Sequence, residues 1–139
     1  DLVYLPTVEE MYPEGTRTNV RVEQMSDLLD GIYRPHFFYG VATVVARLFL
    51  HVQPDVAVFG EKDYQQLRLI TRMAKDLDMP TDILSVPTVR DGDGLALSSR
   101  NAYLSARERE HAPALYRVIT AVAATVAAAT NRSRELANG

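Results

Sequence analysis

Val56-Ala57-Val58-Phe59-Gly60-Glu61-Lys62-Asp63-Tyr64-Gln65-Gln66-Leu67 is the stretch on which the fold turns. Its first four residues are apolar and mostly branched or aromatic, which predicts a buried strand. Gly60 ends that strand, and Asp63 stands where a helix N-cap is wanted. Tyr64, Leu67, Ile70, Ala74 and Leu77 then recur at helical spacing and form one stripe. Outward from this unit the alternation repeats. Upstream, Val41, Val44, Val45, Leu48 and Val52 predict a helix over residues 40–52. Downstream, Pro80 ends the second helix, and Ile83–Val86 predicts another short buried strand before Pro87. Leu2–Leu5, stopped by Pro6, is expected as one more buried strand. Strands alternating with helices specify βαβ units, hence an α/β fold on a parallel sheet.

The texture changes after Pro87. Thr88–Leu104 reads as loop, with Asp91-Gly92-Asp93-Gly94 and Ser98-Ser99-Arg100-Asn101. Ser105 and Glu108 match a capping box that opens a last helix. Leu115, Ile119, Val122 and Val126 supply its apolar face, and Pro113 is expected to kink it or mark its true start. Residues 131–139 are polar and expected to fray. Asn131-Arg132-Ser133 fits a glycosylation acceptor, discounted because nothing else points to secretion. The expected domain division is 1–104 and 105–139.

Composition narrows the classes. The 139 residues are 47% hydrophobic and 24% charged, too apolar for disorder and evenly enough broken by charge for a globular domain. No uninterrupted apolar run nears the roughly 20 residues of a bilayer span, so no membrane partner is expected. A net charge of −3 argues against non-specific nucleic-acid binding. The absence of cysteine removes disulfides and thiolate metal sites. The opening residues lack a basic run before an apolar core, so a cytoplasmic protein is expected. The chain opens directly on an apolar run without a Met, and is expected to be a piece of a longer one.

Ligands of open parallel sheets bind beyond the carboxyl ends of the strands. Two polar clusters are expected along that rim, Gly60–Gln66 and the loop holding Arg90 and Ser98–Arg100. Lys62 is one of two lysines beside thirteen arginines. A compact ammonium acts on phosphate as a point charge, whereas the guanidinium grips two oxygens as a fork. A lysine at a helix start opposes the helix dipole by about 0.3–1 kcal/mol, a conflict that an anionic ligand removes. The competing reading is a solvated surface lysine. Gln66, at i+4, can point into the same pocket as Lys62 or remain an exposed amide. Gly60 admits close backbone approach or merely turns the chain. Ser98, Ser99 and Arg100 offer hydroxyls, successive amides and a guanidinium to a polyphosphate. Read blandly, they are an ordinary polar loop. Gly92 and Gly94 add hinge freedom. His51 and His111 have no partners at metal-binding spacing, so no metal site is expected.

Phe59–Leu67 and Asp93–Leu104 together resemble the pantothenate synthetase (pantoate–β-alanine ligase) family. Met11-Tyr12-Pro13, Gly40–Val45 and Val52-Gln53-Pro54-Asp55 fit it in the same order. The resemblance implies a Rossmann-like nucleotidyltransferase fold, incomplete at both ends. It also implies ATP-dependent joining of pantoate to β-alanine through a pantoyl-adenylate, with ATP and Mg2+ as cofactors and a homodimeric parent enzyme. By resemblance, Lys62 neutralises phosphate charge and Gly60 and Asp63 contact the ribose. Gln66 hydrogen-bonds pantoate against an apolar wall of Val44 and Val45, Val89 lies by the adenine, and Ser98, Ser99 and Arg100 hold the β- and γ-phosphates. Catalysis is expected of Lys62, Ser98, Ser99 and Arg100.

Two departures stand out. The family's Arg-Pro-x-His-Phe-x-Gly-Val run is here Arg34-Pro35-His36-Phe37-Phe38-Tyr39-Gly40-Val41, which puts Phe37 at the His position and His36 one earlier. His36 is carried as a substrate-site residue only if the backbone returns it there. A lost hydrogen bond to a charged group would cost roughly 1.5–3 kcal/mol. In addition, no His-x-Gly-His nucleotide-binding signature occurs in these residues. The segment alone is therefore expected to have little ligase activity. The alternatives are a non-catalytic nucleotide-binding remnant and a related nucleotidyltransferase acting on another acid.

Overall fold

In the computed structural model, which describes residues 2–137, strand β1 (Val56–Gly60) runs into a short 3-10 turn over Glu61–Asp63 and then helix α4 (Tyr64–Asp76). Strand β2 (Asp82–Val86) returns beside β1 in parallel, Val56 facing Asp82 and Gly60 facing Val86. The register is set at its start, where Thr81 Oγ1 donates to Pro54 O at 2.9 Å and Asp82 N to Asp55 O at 2.9 Å. The expected β–α–β unit is thus present. Upstream lie α1 (Val8–Met11), α2 (Asp30–Tyr33) and the longer α3 (Phe37–Val52), which packs on α4. Downstream come a 3-10 turn (Ser99–Tyr103), α5 (Ala106–His111) and α6 (Ala114–Ala137). The chain divides into two compact units between Pro87 and Thr88, the point where the sequence changes texture and upstream of the expected 104/105 division.

The core of the first unit gathers Val22, Phe38, Ala42, Ala46, Phe49, Leu69, Ile70 and Met73. It corrects the expected faces. In α3 the fully buried positions are Phe38, Ala42, Thr43, Ala46 and Phe49, not the valine stripe, and Val52 is half-exposed. Ala42 and Ala46 put small side chains into the cluster where α3 meets α4, and Phe49 also meets Phe59 of β1 edge-on, with ring centroids 6.4 Å apart. In α4, Leu67, Ile70 and Ala74 are buried as expected, joined by Leu69 and Met73, whereas Tyr64 and Leu77 are exposed.

The strands are less buried than expected. Ala57, Phe59 and Ile83 face the core, but Val56, Val58, Leu84 and Val86 lie 43–59% exposed on the other face. Parallel sheets are normally covered on both faces. Leu2–Leu5 forms no strand and is largely exposed, because a strand exists only where an edge pairs with it. Tyr4 is nonetheless tied down, its hydroxyl 2.6 Å from His51 Nδ1.

In the second unit the capping box is present as expected: Ser105 Oγ accepts from Glu108 N while Glu108 Oε2 accepts from Ser105 N. Pro113 marks the start of α6, also as expected. Residues 131–137, expected to fray, are helical; residues 138 and 139 lie outside the described range. The face holding Leu115, Ile119, Val122 and Val126 is exposed. The expectation about spans is corrected here. By length and composition alone, the run Ala106–Ala137 is long and apolar enough to cross a membrane. Much of that apolarity is alanine, the strongest helix former, which accounts for the helix length as well.

Among the described residues, five non-glycine residues have positive φ: Gln24, Leu29, His36, Gln53 and Asp78. Gln53 closes α3 at φ 50, ψ 54, its N–H donating to Phe49 O. Helix ends of this geometry favour glycine. Gln53→Gly is therefore expected to raise stability by about 1 kcal/mol, read as a higher denaturation midpoint at unchanged m-value.

Candidate functional site

Gly60, Lys62, Asp63 and Gln66 are brought together at the carboxyl end of β1. The 3-10 turn inserted between strand and helix is what shapes this corner. Because of it, Asp63 occupies the N-cap position of α4, yet its carboxylate makes no capping hydrogen bond. The expected cap is thus a matter of position only. Lys62 is exposed on the same turn, and Gln66 is half-buried one helical turn further. Gly60 has φ −74 and ψ 135, a conformation open to any residue. Apart from its two chain neighbours, no protein atom lies within 4 Å of where its Cβ would stand. The backbone there is open to a ligand. Glu61 ties the corner to β2, its Oε1 accepting from Ser85 Oγ at 3.0 Å.

The corner is held from behind by a residue that sequence reasoning passed over. Gln65 Nε2 donates to Met25 O at 3.1 Å and to Leu28 O at 2.8 Å, while its Oε1 accepts from Asp30 N at 3.2 Å. The doubled glutamine was the only available signal. In α3, Val45 packs against the core cluster, whereas Val44 is half-buried outside it. Neighbouring helical residues diverge by about 100°, so these two valines present different faces.

His36 is the N-cap residue of α3 at φ 72, its ring tilted against Tyr39 with centroids 5.6 Å apart. The left-handed φ at this position is one that glycine adopts most readily, and the next residue, Phe37, starts the helix. Phe37 lies beneath the Arg34 guanidinium, 3.6 Å from its ring centre. His36, Tyr39 and Arg21 help line a cavity of about 390 Å³. Arg21 and the Tyr39 hydroxyl both donate to Asp27, and these hydrogen bonds hold the Asp27 carboxyl below its ordinary pKa.

In the second unit Ser98, Ser99 and Arg100 form one turn. Ser98 Oγ caps it by accepting from Arg100 N at 3.2 Å, and Asn101 N donates to Ser98 O. One of the three successive amides offered to a phosphate, that of Arg100, is therefore already engaged. The Ser99 and Arg100 side chains are exposed, as is Val89. The turn hangs from a hairpin in which Asp91 N donates to Leu95 O and Leu97 N to Val89 O. Gly94 has φ 94 and sits where a Cβ would collide with the Tyr116 ring, over which Arg90 stacks at 3.9 Å. Arg109 clasps the hairpin, donating to both Asp91 and Asp93.

Arg109 first, then the Leu95 amide, holds Asp93 below its ordinary value of 3.8. A depressed carboxylate contributes fully above its unfolded pKa and loses that contribution as pH falls through the folded value. Amide exchange at Leu95 is therefore expected to accelerate only below about pH 4 relative to the rest of the hairpin. Arg109→Met removes the larger of the two causes while the Leu95–Asp93 hydrogen bond remains, so the onset of this acid dependence should move to higher pH.

Among the described residues, no three His, Cys, Asp or Glu side chains gather where they could hold a metal ion. His111 Nδ1 lies 2.7 Å from Arg107 O, a local helix contact.

Comparison with known proteins gives one consistent result. The family profile described as pantoate-beta-alanine ligase matches residues 1–138. A pantothenate synthetase from Hyphomonas neptunium is 67% identical over 136 residues, covering 98% of this chain and 46% of that protein. One from Thermus thermophilus is 59% identical, covering 88% and 45%. A Thermus thermophilus crystal structure superposes with a TM-score of 0.81 at 61% identity, over 84% of this chain and 43% of that one. A Francisella tularensis pantoate-beta-alanine ligase, complexed with beta-gamma ATP and beta-alanine, gives 0.73 at 36% identity, over 81% and 43%. The chain spans about half the length of the curated relatives it matches.

Proposed function

Because the chain belongs to the pantoate–β-alanine ligase family, we propose that this protein condenses pantoate with β-alanine, converting ATP to AMP and pyrophosphate. A pantoate carboxylate oxygen attacks the α-phosphorus, and the bond to the β-phosphate's bridging oxygen breaks. The β-alanine amine then attacks the acyl carbon, losing a proton as AMP departs. The observation that carries this reading is the Phe59–Leu67 string, which lies at the carboxyl end of a parallel strand and runs into α4.

Both steps need charge compensation and alignment more than covalent help from the protein. Lys62 neutralises phosphate charge as it develops, and Gln66 holds the pantoate carboxylate side. Gly60 and Asp63 serve the ribose, and Val89 the adenine. By the family resemblance Val44 and Val45 form the wall for pantoate's methyl groups, Val45 from the side packed on the core and Val44 from the neighbouring face. Ser98, Ser99 and Arg100 bind the β- and γ-phosphates, with Mg2+ arriving on the nucleotide. His36, whose substrate-site role depends on where the backbone carries it, helps line the Tyr39 cavity. A homodimeric, cytoplasmic enzyme is part of the same reading, supported by the family resemblance and the cysteine-free composition.

Pyrophosphate release by the complete protein, with ATP and β-alanine and with or without pantoate, tests the proposal. Release that depends on pantoate and yields pantothenate is expected. Nucleotide binding without pantoate-dependent release would overturn it in favour of a non-catalytic nucleotide-binding protein, the reading that Phe37 in the histidine position favours. Turnover with another hydroxy acid instead would point to a related nucleotidyltransferase.

A further inference from the structure

We infer that Gln65 is a positioning residue for this site, its amide holding residues 25–30 against the first turn of α4 and so fixing where Lys62 and Gln66 present their side chains. The inference rests on the ligase reading above. Gln65 is half-buried. Its two amide hydrogens go to the carbonyls of Met25 and Leu28, and its oxygen takes the N–H of Asp30. With both amide hydrogens given to backbone carbonyls and its oxygen taken by a backbone N–H, all 35–40 residues away, the side chain is committed to holding that segment. Its function is to set geometry.

The segment it holds carries strained backbone, and Arg21 and Tyr39 tie down its middle through Asp27. Gln24 and Leu29 have φ of 66 and 50, and Leu29 has ψ −115, outside the ordinary wells. A Cβ on Gly31 would collide with the Ser26 carbonyl. Such backbone persists only where its surroundings over-determine it. Val22 and Ser26 fasten the upstream end, both buried, with Ser26 Oγ donating to Val22 O at 2.8 Å. The downstream end is fastened to α4 by Gln65. Gln65 adjoins Gln66 and lies three residues after Lys62. A shift of the first turn that relaxed its three hydrogen bonds would therefore move both side chains. A loss of about 1 Å in such placement costs roughly 100-fold in favourable cases.

The identity of the residue follows from the donors required. Two carbonyl oxygens face Nε2, so a carboxylate of the same shape would meet them with no hydrogen to give. When protonated, it could restore one donor.

The test uses the complete protein with Gln65→Glu and Gln65→Met, the latter keeping length and helix propensity without charge. Expected are a fall in kcat/KM for pantoate of about tenfold or more in both variants, and faster amide exchange at Asp30. The Glu variant's deficit relative to wild type should shrink from pH 8 to pH 5.5, and the Met variant's should not. A residue that merely supports the fold would lower the melting temperature and leave kcat/KM for pantoate and its pH profile unchanged. Faster Asp30 exchange with wild-type kinetics in both variants would overturn the inference and leave the ligase reading standing. Wild-type protein without pantoate-dependent pyrophosphate release would instead overturn the ligase reading, and the inference with it.

Discussion

Lys62→Ala is expected to reduce kcat for pantoate-dependent pyrophosphate release by about 100- to 1,000-fold, the range found when one preorganised charge or donor is removed from a transition state. Converted, that is roughly 2.7–4 kcal/mol. Negative charge grows on the departing pyrophosphate as the α-phosphorus is attacked. A fixed ammonium stabilises that state more than the ground state, so kcat should fall more than KM for ATP rises. Stability should scarcely change, within about 0.5 kcal/mol, because Lys62 is exposed. Removing a cation from the N-terminal side of α4 even relieves a small dipole conflict. Lys62→Arg is the informative companion. A planar fork and a point charge place positive potential differently, so the arginine variant should recover only part of the rate. A Lys62→Ala enzyme with wild-type kcat would remove Lys62 from the chemistry, whatever ATP affinity it retained.

This corner was legible in the sequence because its signals are local. Two valines and a phenylalanine before Gly60, then Leu67, Ile70 and Ala74 at helical spacing, dictate strand and helix without help from the rest of the chain. Strand β2 was legible for the same reason, and Ser105 and Glu108 announced α5. What the sequence hid depends on partners. The valines of α3 outweighed Ala42 and Ala46 in any count of hydrophobicity. Yet close packing of α3 on α4 selects the small residues, and only the neighbouring helix makes that choice. Leu2–Leu5 carries strand composition but finds no edge to pair with.

The positive-φ residues mark a second limit. Nothing in Gln24, Leu29 or His36 signals positive φ, since these conformations are imposed by surroundings and not by propensity. They fall in the segment that Gln65 secures and at the start of α3. Within the proposed site, the residues assigned to ligand are readable in the sequence and the residue inferred to aim them is not. Gln66 stands in a recognisable string with a chemical role to suggest. Gln65 stands beside it with nothing in one dimension to distinguish it, because its partners lie 35–40 residues away.

Ile70→Ala and Leu77→Ala separate the sequence stripe from the packed face. Periodicity places both residues on one line of α4, seven positions apart. The structure buries Ile70 completely in the core cluster and leaves Leu77 half-exposed past the helix end. Ile70→Ala removes three methyl or methylene groups from a position with no route to collapse, flanked by Leu69 and Met73, themselves almost wholly buried. Loss of transfer free energy and the residual cavity together should cost about 2–5 kcal/mol. Leu77→Ala should cost under about 1 kcal/mol, since much of its side chain already meets water. Paired chemical denaturation of the two variants checks this. Equal losses would mean that the stripe is continuous and that the buried face of α4 is wrongly placed. A large gap would fix the rotation of α4 about its axis, and with it the direction in which the first turn presents Gln65 and Gln66.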